Sequence, residues 1–278
     1  MIPGAYYIWR RWKLEGGTRP SSLPTRIPPA TLTRWYVRLA AYRALLRPPA
    51  SISSVIPPVF QRYVFAGVLS NFTGPERQKA WDRGYRTILV QLGDGSAASD
   101  ANDQELYERG VVYRAEGWRI AGWCDPASLY PETGARVARS WVDEHSLDGW
   151  VTDWEMWGEG TFVGLPGRWL AEWQRLGVKV PLGLSCLSSE NDQWPRPFDY
   201  KPWVEFGATI MPQVYGDAHA GYTVHNMKRV MSLGGVPKYL LSPTFGAVEA
   251  LDPYSDYATW DGPHGVWIAG QVRDWSKL

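Results

Sequence analysis

From residue 63 onward the chain alternates short apolar, β-branched or aromatic runs with longer stretches of helical periodicity, and few folds accept that rhythm. Strand-like runs fall at 63–69, 87–92, 118–123, 149–155, 180–186, 208–215, 239–243 and 266–272. Helix-like stretches lie between most of them, at 75–83, 104–115, 131–145, 167–176 and 224–233. Pro75 and Pro131 suit first helical turns, and Gly84, Gly117 and Gly177 stand just past helix ends. The fifth crossover, 188–206, reads mostly as loop, and the seventh, 246–264, as an aromatic loop. Strands alternating with helices predict a parallel sheet, and eight of them predict closure into an α/β fold, the (β/α)8 TIM barrel. An open doubly wound sheet is the competitor, but no glycine-rich phosphate fingerprint follows the first strand.

Residues 1–62 do not share this rhythm. Nine of the 22 prolines sit there, along with ten of the 29 basic residues and a single acid, Glu15. The remainder is then acidic, although the whole chain carries a net charge of +1. The segment reads as a basic, proline-rich docking arm ahead of a barrel at 63–278, with one helix over 31–46 carrying Trp35, Leu39, Tyr42 and Leu46 along a stripe. Such an arm suits a protein partner in a larger assembly better than nucleic acid or an anionic membrane. No run is apolar and long enough for a membrane span, and the N-terminus lacks the apolar core of a secretory signal. Cys124 and Cys186 are expected to be reduced, because one strand separates theirs in the predicted order.

Chemistry concentrates at the fourth strand, Leu147-Asp148-Gly149-Trp150-Val151-Thr152-Asp153-Trp154-Glu155-Met156-Trp157. Alternation along a strand puts Asp153 and Glu155 on one face, roughly 7 Å apart. Two carboxylates together on an apolar strand form the acid/base pair of glycoside hydrolysis, or else merely cap amides or hold an arginine. A barrel gathers all its strand ends at one mouth. Asn71, Gln91, Trp123, Asp125, Trp157, Gln213, Tyr215, Asp217, Gln271 and Asp274 are therefore candidates for the same site. Gln91, Gln213 and Gln271 read equally well as a satisfied structural network. The 17 tryptophans and 15 tyrosines suit both a packed helix–barrel layer and a cleft in which rings stack on sugars. No cofactor is called for: the four histidines lack metal-ligand spacing, and a divalent cation on Asp153, Glu155 and Asp217 is a minor alternative.

Asp148-Gly149-x-x-x-Asp153-Trp154-Glu155 resembles the fourth-strand DGxDxDxE signature of chitinase-type (family 18) glycosidases. Met211-Pro212-Gln213-Val214-Tyr215-Gly216-Asp217 is similar to that family's sixth-strand M-x-Y-D, with one extra residue. Asp153-x-Glu155 and Ser70-Asn71-Phe72-Thr73-Gly74 also resemble elements of family 25 lysozymes. The likeness implies a TIM barrel acting on cell-wall glycan rich in N-acetylhexosamine, such as peptidoglycan or chitin. It further implies a retaining, substrate-assisted hydrolase. Glu155 is then the general acid, Asp153 orients the substrate's acetamido group and Tyr215 hydrogen-bonds it. Two positions depart from the patterns: Val151 replaces the middle Asp of the chitinase signature, and Val68 the first-strand Asp of the lysozymes. The alternative is accordingly an inactive barrel serving as scaffold or receptor-binding module. A glycan-directed barrel behind a basic arm resembles, in its organisation, phage tail-tip (minor tail) proteins of the virion.

Overall fold

In the computed structural model, the described residues are 55–67, 69–93, 100–124, 131–154, 164–187, 198–215, 223–246 and 259–267. Eight parallel strands close into a barrel in sequence order: β1 (Arg62–Ala66), β2 (Thr87–Gly93), β3 (Arg119–Cys124), β4 (Gly149–Asp153), β5 (Leu182–Leu187), β6 (Thr209–Val214), β7 (Thr244–Gly246) and β8 (His264–Trp267). Among the described residues, six helices pack outside: α1 (Gly74–Asp82), α2 (Asp100–Ala115), α3 (Pro131–Glu144), α4 (Leu165–Arg175), α5 (Lys201–Phe206) and α6 (Val224–Leu233). The (β/α)8 expectation holds. The 31–46 helix lies outside the described residues, as does everything else before Val55.

Several helix boundaries have local causes. At the start of α1, Thr73 and Glu76 form a capping box with Pro in the first turn. α2 gives way to β3 through Gly117, whose φ of 91° suits glycine alone. Thr223 caps α6 by accepting from the Asn226 amide at 3.1 Å. The fifth crossover, expected to be mostly loop, ends in the six-residue α5: Pro202 at its start and Gly207 in the left-handed conformation after it delimit a helix too short for a periodic pattern, and residues 188–197 lie outside the described residues.

The seventh strand sits elsewhere than its composition suggests. Residues 238–240 form a 3-10 turn, and Leu240 and Leu241 are buried against the helix layer. The seventh strand follows at Thr244–Gly246 rather than at 239–243. Pro237 and Pro243 flank that apolar run and lack the amide protons a ladder needs. β8 starts at His264, two residues before the expected Val266, because His264 and Gly265 already pair with Arg62 and Tyr63.

Two apolar layers result, as strand alternation requires. The barrel interior holds Tyr63, Phe65, Leu89, Ala121, Trp123, Val151 and Met211, closed at the N-terminal end by Ile56, Val59 and Phe60. Those last three belong to a segment expected in the arm. The Pro57-Pro58 pair instead launches a 3-10 turn over Pro58–Phe60 whose apolar side chains plug the barrel floor. The outer layer between strands and helices is crowded with indoles. Trp141 stacks on Trp150 at 5.8 Å, Trp169 stacks on Trp173 at 4.9 Å, and Trp154 meets the Trp203 ring edge-on at 5.9 Å. Most of the tryptophan excess with described positions is therefore packing material. Cys124 and Cys186 are buried on β3 and β5, with β4 between them.

Candidate functional site

β4 is held firmly from behind. Its outward Trp150 and the following Trp154 are buried in the indole layer, and α3 and α4 are locked over them by ion pairs. Glu172 accepts from Arg136 and from Arg175, both at 2.7 Å, and Arg168 forks onto Glu132 at 2.7 and 2.6 Å. The Arg175 hydrogen bond leads in holding the Glu172 carboxyl at about 2, against the opposing effect of burial. Inward from this frame point Val151 and Asp153, at successive levels toward the carboxyl ends of the strands.

Asp153 is 5% exposed, and its Oδ1 accepts from Gln213 Nε2 at 3.2 Å. The same Nε2 lies 3.2 Å from Ser185 Oγ, so β4, β5 and β6 each supply one member of a buried polar cluster. Ser185 sits beside Asp153 in the β4–β5 register, while Gln213 stands one inward position beyond Met211, the partner of Ser185 on β6. The cluster includes two expected site residues, Asp153 and Gln213. Ser185 was not among the candidates; its position on an inward face directly beside Asp153 was the available signal.

An aromatic wall occupies the other side of the interior. Phe65, Trp123 and Trp267 form a triangle with ring centroids 5.5, 5.3 and 4.8 Å apart, and the half-buried Tyr215 ring lies 6.2 Å from Trp267. Tyr215 thus keeps the company of interior residues, in line with sharing a face with Gln213. Among the described residues, the buried Trp123 Nε1 has no hydrogen-bond partner. Trp154, next to Asp153, points the other way into the helix layer, so its indole faces no ligand in the barrel.

Other candidates fall near the rim. Asn71 is exposed in the 3-10 turn Leu69–Asn71 after β1. Gln91 is half-buried on β2, just before a register shift toward β3 that forms a bulge at the mouth. Its carbonyl, with that of Gly67, accepts from Asn102 Nδ2 at 2.8 and 2.7 Å, so α2 ties together the ends of β1 and β2. Glu155, Asp125, Trp157, Asp217, Gln271 and Asp274 lie outside the described residues, as does Val68. Among the described residues, no group of three or more His, Cys, Asp or Glu is placed to hold a metal ion, and no helix is long and apolar enough to cross a membrane.

At the opposite end of the barrel a second polar knot is structural. His264 Nε2 lies 2.6 Å from Arg62 Nη1 and 3.2 Å from Tyr85 Oη, while Nδ1 faces the Gly262 carbonyl at 3.2 Å. Two donors on Nε2 and a carbonyl on Nδ1 fit a neutral imidazole protonated at Nδ1. Burial, helped by the Arg62 charge, brings His264 down to about 4.

No family model and no curated protein matches this chain. Solved structures similar to it include the ICChI chitinase from Ipomoea carnea, with 13% identity over 78% of this chain and 98% of that one at a TM-score of 0.45. The endo-β-N-acetylglucosaminidase from Cordyceps militaris shares 11% identity over 87% of each chain at a TM-score of 0.47. The modular autolysin LytC from Streptococcus pneumoniae shares 11% over 45% of this chain and 32% of its own at 0.35, so this chain spans about a third of that protein. At such identities the chemistry of the site has to be argued from this chain's own residues.

Proposed function

We propose that the barrel is a glycoside hydrolase acting on N-acetylhexosamine-containing wall glycan, with its site at the carboxyl ends of β4 and β6. The observation that carries this reading is Asp153: a buried carboxylate, directed into the barrel and hydrogen-bonded by Gln213, in an interior that also holds an aromatic cluster. Burying an ionisable group in such surroundings is costly, and sites that perform acid/base work are where that cost recurs. In this reading Glu155 protonates the glycosidic oxygen. Asp153 holds the substrate's acetamido nitrogen so that its carbonyl oxygen attacks the anomeric carbon, and Tyr215 steadies that oxygen. Water then opens the cyclic intermediate with Glu155 as base, which retains the anomeric configuration.

The test is release of reducing ends from peptidoglycan or chitin by the purified chain beside Glu155→Gln. Loss of release in the variant supports the reading; no release by either, or equal release by both, rejects it.

Val151 favours a second reading, a barrel that binds glycan or a receptor without cutting it. It occupies the inward position below Asp153 where the chitinase signature carries a carboxyl, and it is fully buried with apolar neighbours. Retention of the chain on insoluble peptidoglycan without release of sugar selects that outcome. The proposal extends to placement at a phage tail tip, with the basic segment ahead of the barrel docked in the assembly; absence of the chain from purified virions rejects that extension.

A further inference from the structure

We infer that Gln213 is a positioning residue for Asp153, holding its carboxylate sideways across β5 with Ser185 as the second anchor. The inference rests on the catalytic reading of Asp153 given above, but its geometry stands by itself. Met211 is the register partner of Ser185, and Gln213 stands two residues further along β6, opposite Leu187. In this closed barrel the register slips by about one residue per strand, so two strands on from β4 the residue at the height of Asp153 is Gln213. Its side chain reaches across at that level, with Nε2 at 3.2 Å from both Asp153 Oδ1 and Ser185 Oγ.

The donor count fits the same role. A carboxamide nitrogen carries two protons, and here two protein acceptors lie within reach of it. Asp153 is 5%, Gln213 2% and Ser185 2% exposed, so little water competes for these hydrogen bonds. Gln213 thereby moves from substrate contact, where its strand position alone would put it, to orientation of the carboxylate that meets substrate.

This also supplies what Val151 lacks. An inward side chain two residues before Asp153 is the natural place from which to orient that carboxyl, and here it is apolar and buried. The barrel orients Asp153 from β6 instead. An amide donor cannot accept a proton from a carboxyl or return one, so it fixes the charge and direction of Asp153 without sharing a proton.

A double-mutant cycle in melting temperature, read together with steady-state kinetics, tests the inference. Gln213→Met removes the donor at similar volume, and Asp153→Asn removes the charge. If Gln213 holds the carboxylate, the double variant departs from additivity by roughly 3 °C or more. On N-acetylated glycan, Gln213→Met then loses about 100-fold in kcat while KM stays within about threefold, the pattern of a displaced reacting group. Ser185→Ala, a smaller change, gives the same signs should Gln213→Met not fold. Additive melting shifts, or a loss confined to KM, overturn the assignment. A wild-type chain that cuts no glycan removes the catalytic reading, while the melting cycle alone still decides whether Gln213 holds Asp153.

Discussion

The phenol ring of Tyr63 lies across Gly265 so closely that a methyl group added to the glycine would meet ring carbons at 1.9 Å. The Tyr63 hydroxyl donates to the Ser242 carbonyl at 2.6 Å and lies 2.9 Å from Thr244 Oγ1, while Ser242 Oγ donates to the Phe60 carbonyl at 2.6 Å. This is how the barrel closes: the Tyr63 ring bonds β1 to Ser242 and to Thr244 of β7, Ser242 holds the floor plug, and β8 passes the ring as glycine.

Gly265→Ala is therefore expected to destabilise the fold by about 1–3 kcal/mol through overpacking, read as a lower urea midpoint at unchanged slope. Gly167→Ala in α4, where an added Cβ meets nothing within 4 Å, serves as the opposite control. It should gain about 0.5–1 kcal/mol from helix propensity.

Acid is expected to unfold the chain in two overlapping stages. His264 sits near 4 against an ordinary 6.5, so the folded state binds fewer protons than the unfolded one between those values, and stability falls as pH drops from 6.5 toward 4. Glu172 sits at about 2 against 4.5, so its contribution is present above 4.5 and lost as pH falls toward 2. Melting temperature followed from pH 7 down to 3 checks both. His264→Gln should flatten the upper part of the curve, and Glu172→Gln the lower.

Trp154 offers a prediction against the motif in which it stands. Because its indole packs on Trp203 outside the barrel, Trp154→Phe should leave glycan retention and KM within about twofold while lowering stability by about 1–3 kcal/mol. Trp173→Ala, in the same layer, should cost about 3–5 kcal/mol. A large loss of glycan affinity in Trp154→Phe with intact melting behaviour would contradict the outward placement.

The periodicity of the chain carried most of the architecture. β2 to β6 are apolar runs with turn residues at their ends, and packing did not override those local preferences. β7 was misplaced because Tyr239, Leu240 and Leu241 look like a strand, yet prolines on either side deny it a ladder and the real strand is three residues long. The floor plug was hidden for the converse reason. Pro57 and Pro58 read as arm, whereas their backbone restriction is what turns Val59 and Phe60 into the barrel. At the site, alternation put Asp153 on one face with Glu155, but no strand pattern states register. The contact that brings Gln213 to Asp153 beside Ser185 is a property of the closed barrel.

The central claim is that Asp153 works on the substrate's acetamido group at the mouth of the barrel. The rate of reducing-end release from N-acetylated chitin oligomers, measured for the wild type and for Asp153→Asn, tests it most directly. The account predicts measurable release by the wild type and a loss of about 100-fold or more in kcat for the variant. Equal rates for the two proteins, or no release by the wild type, would contradict it.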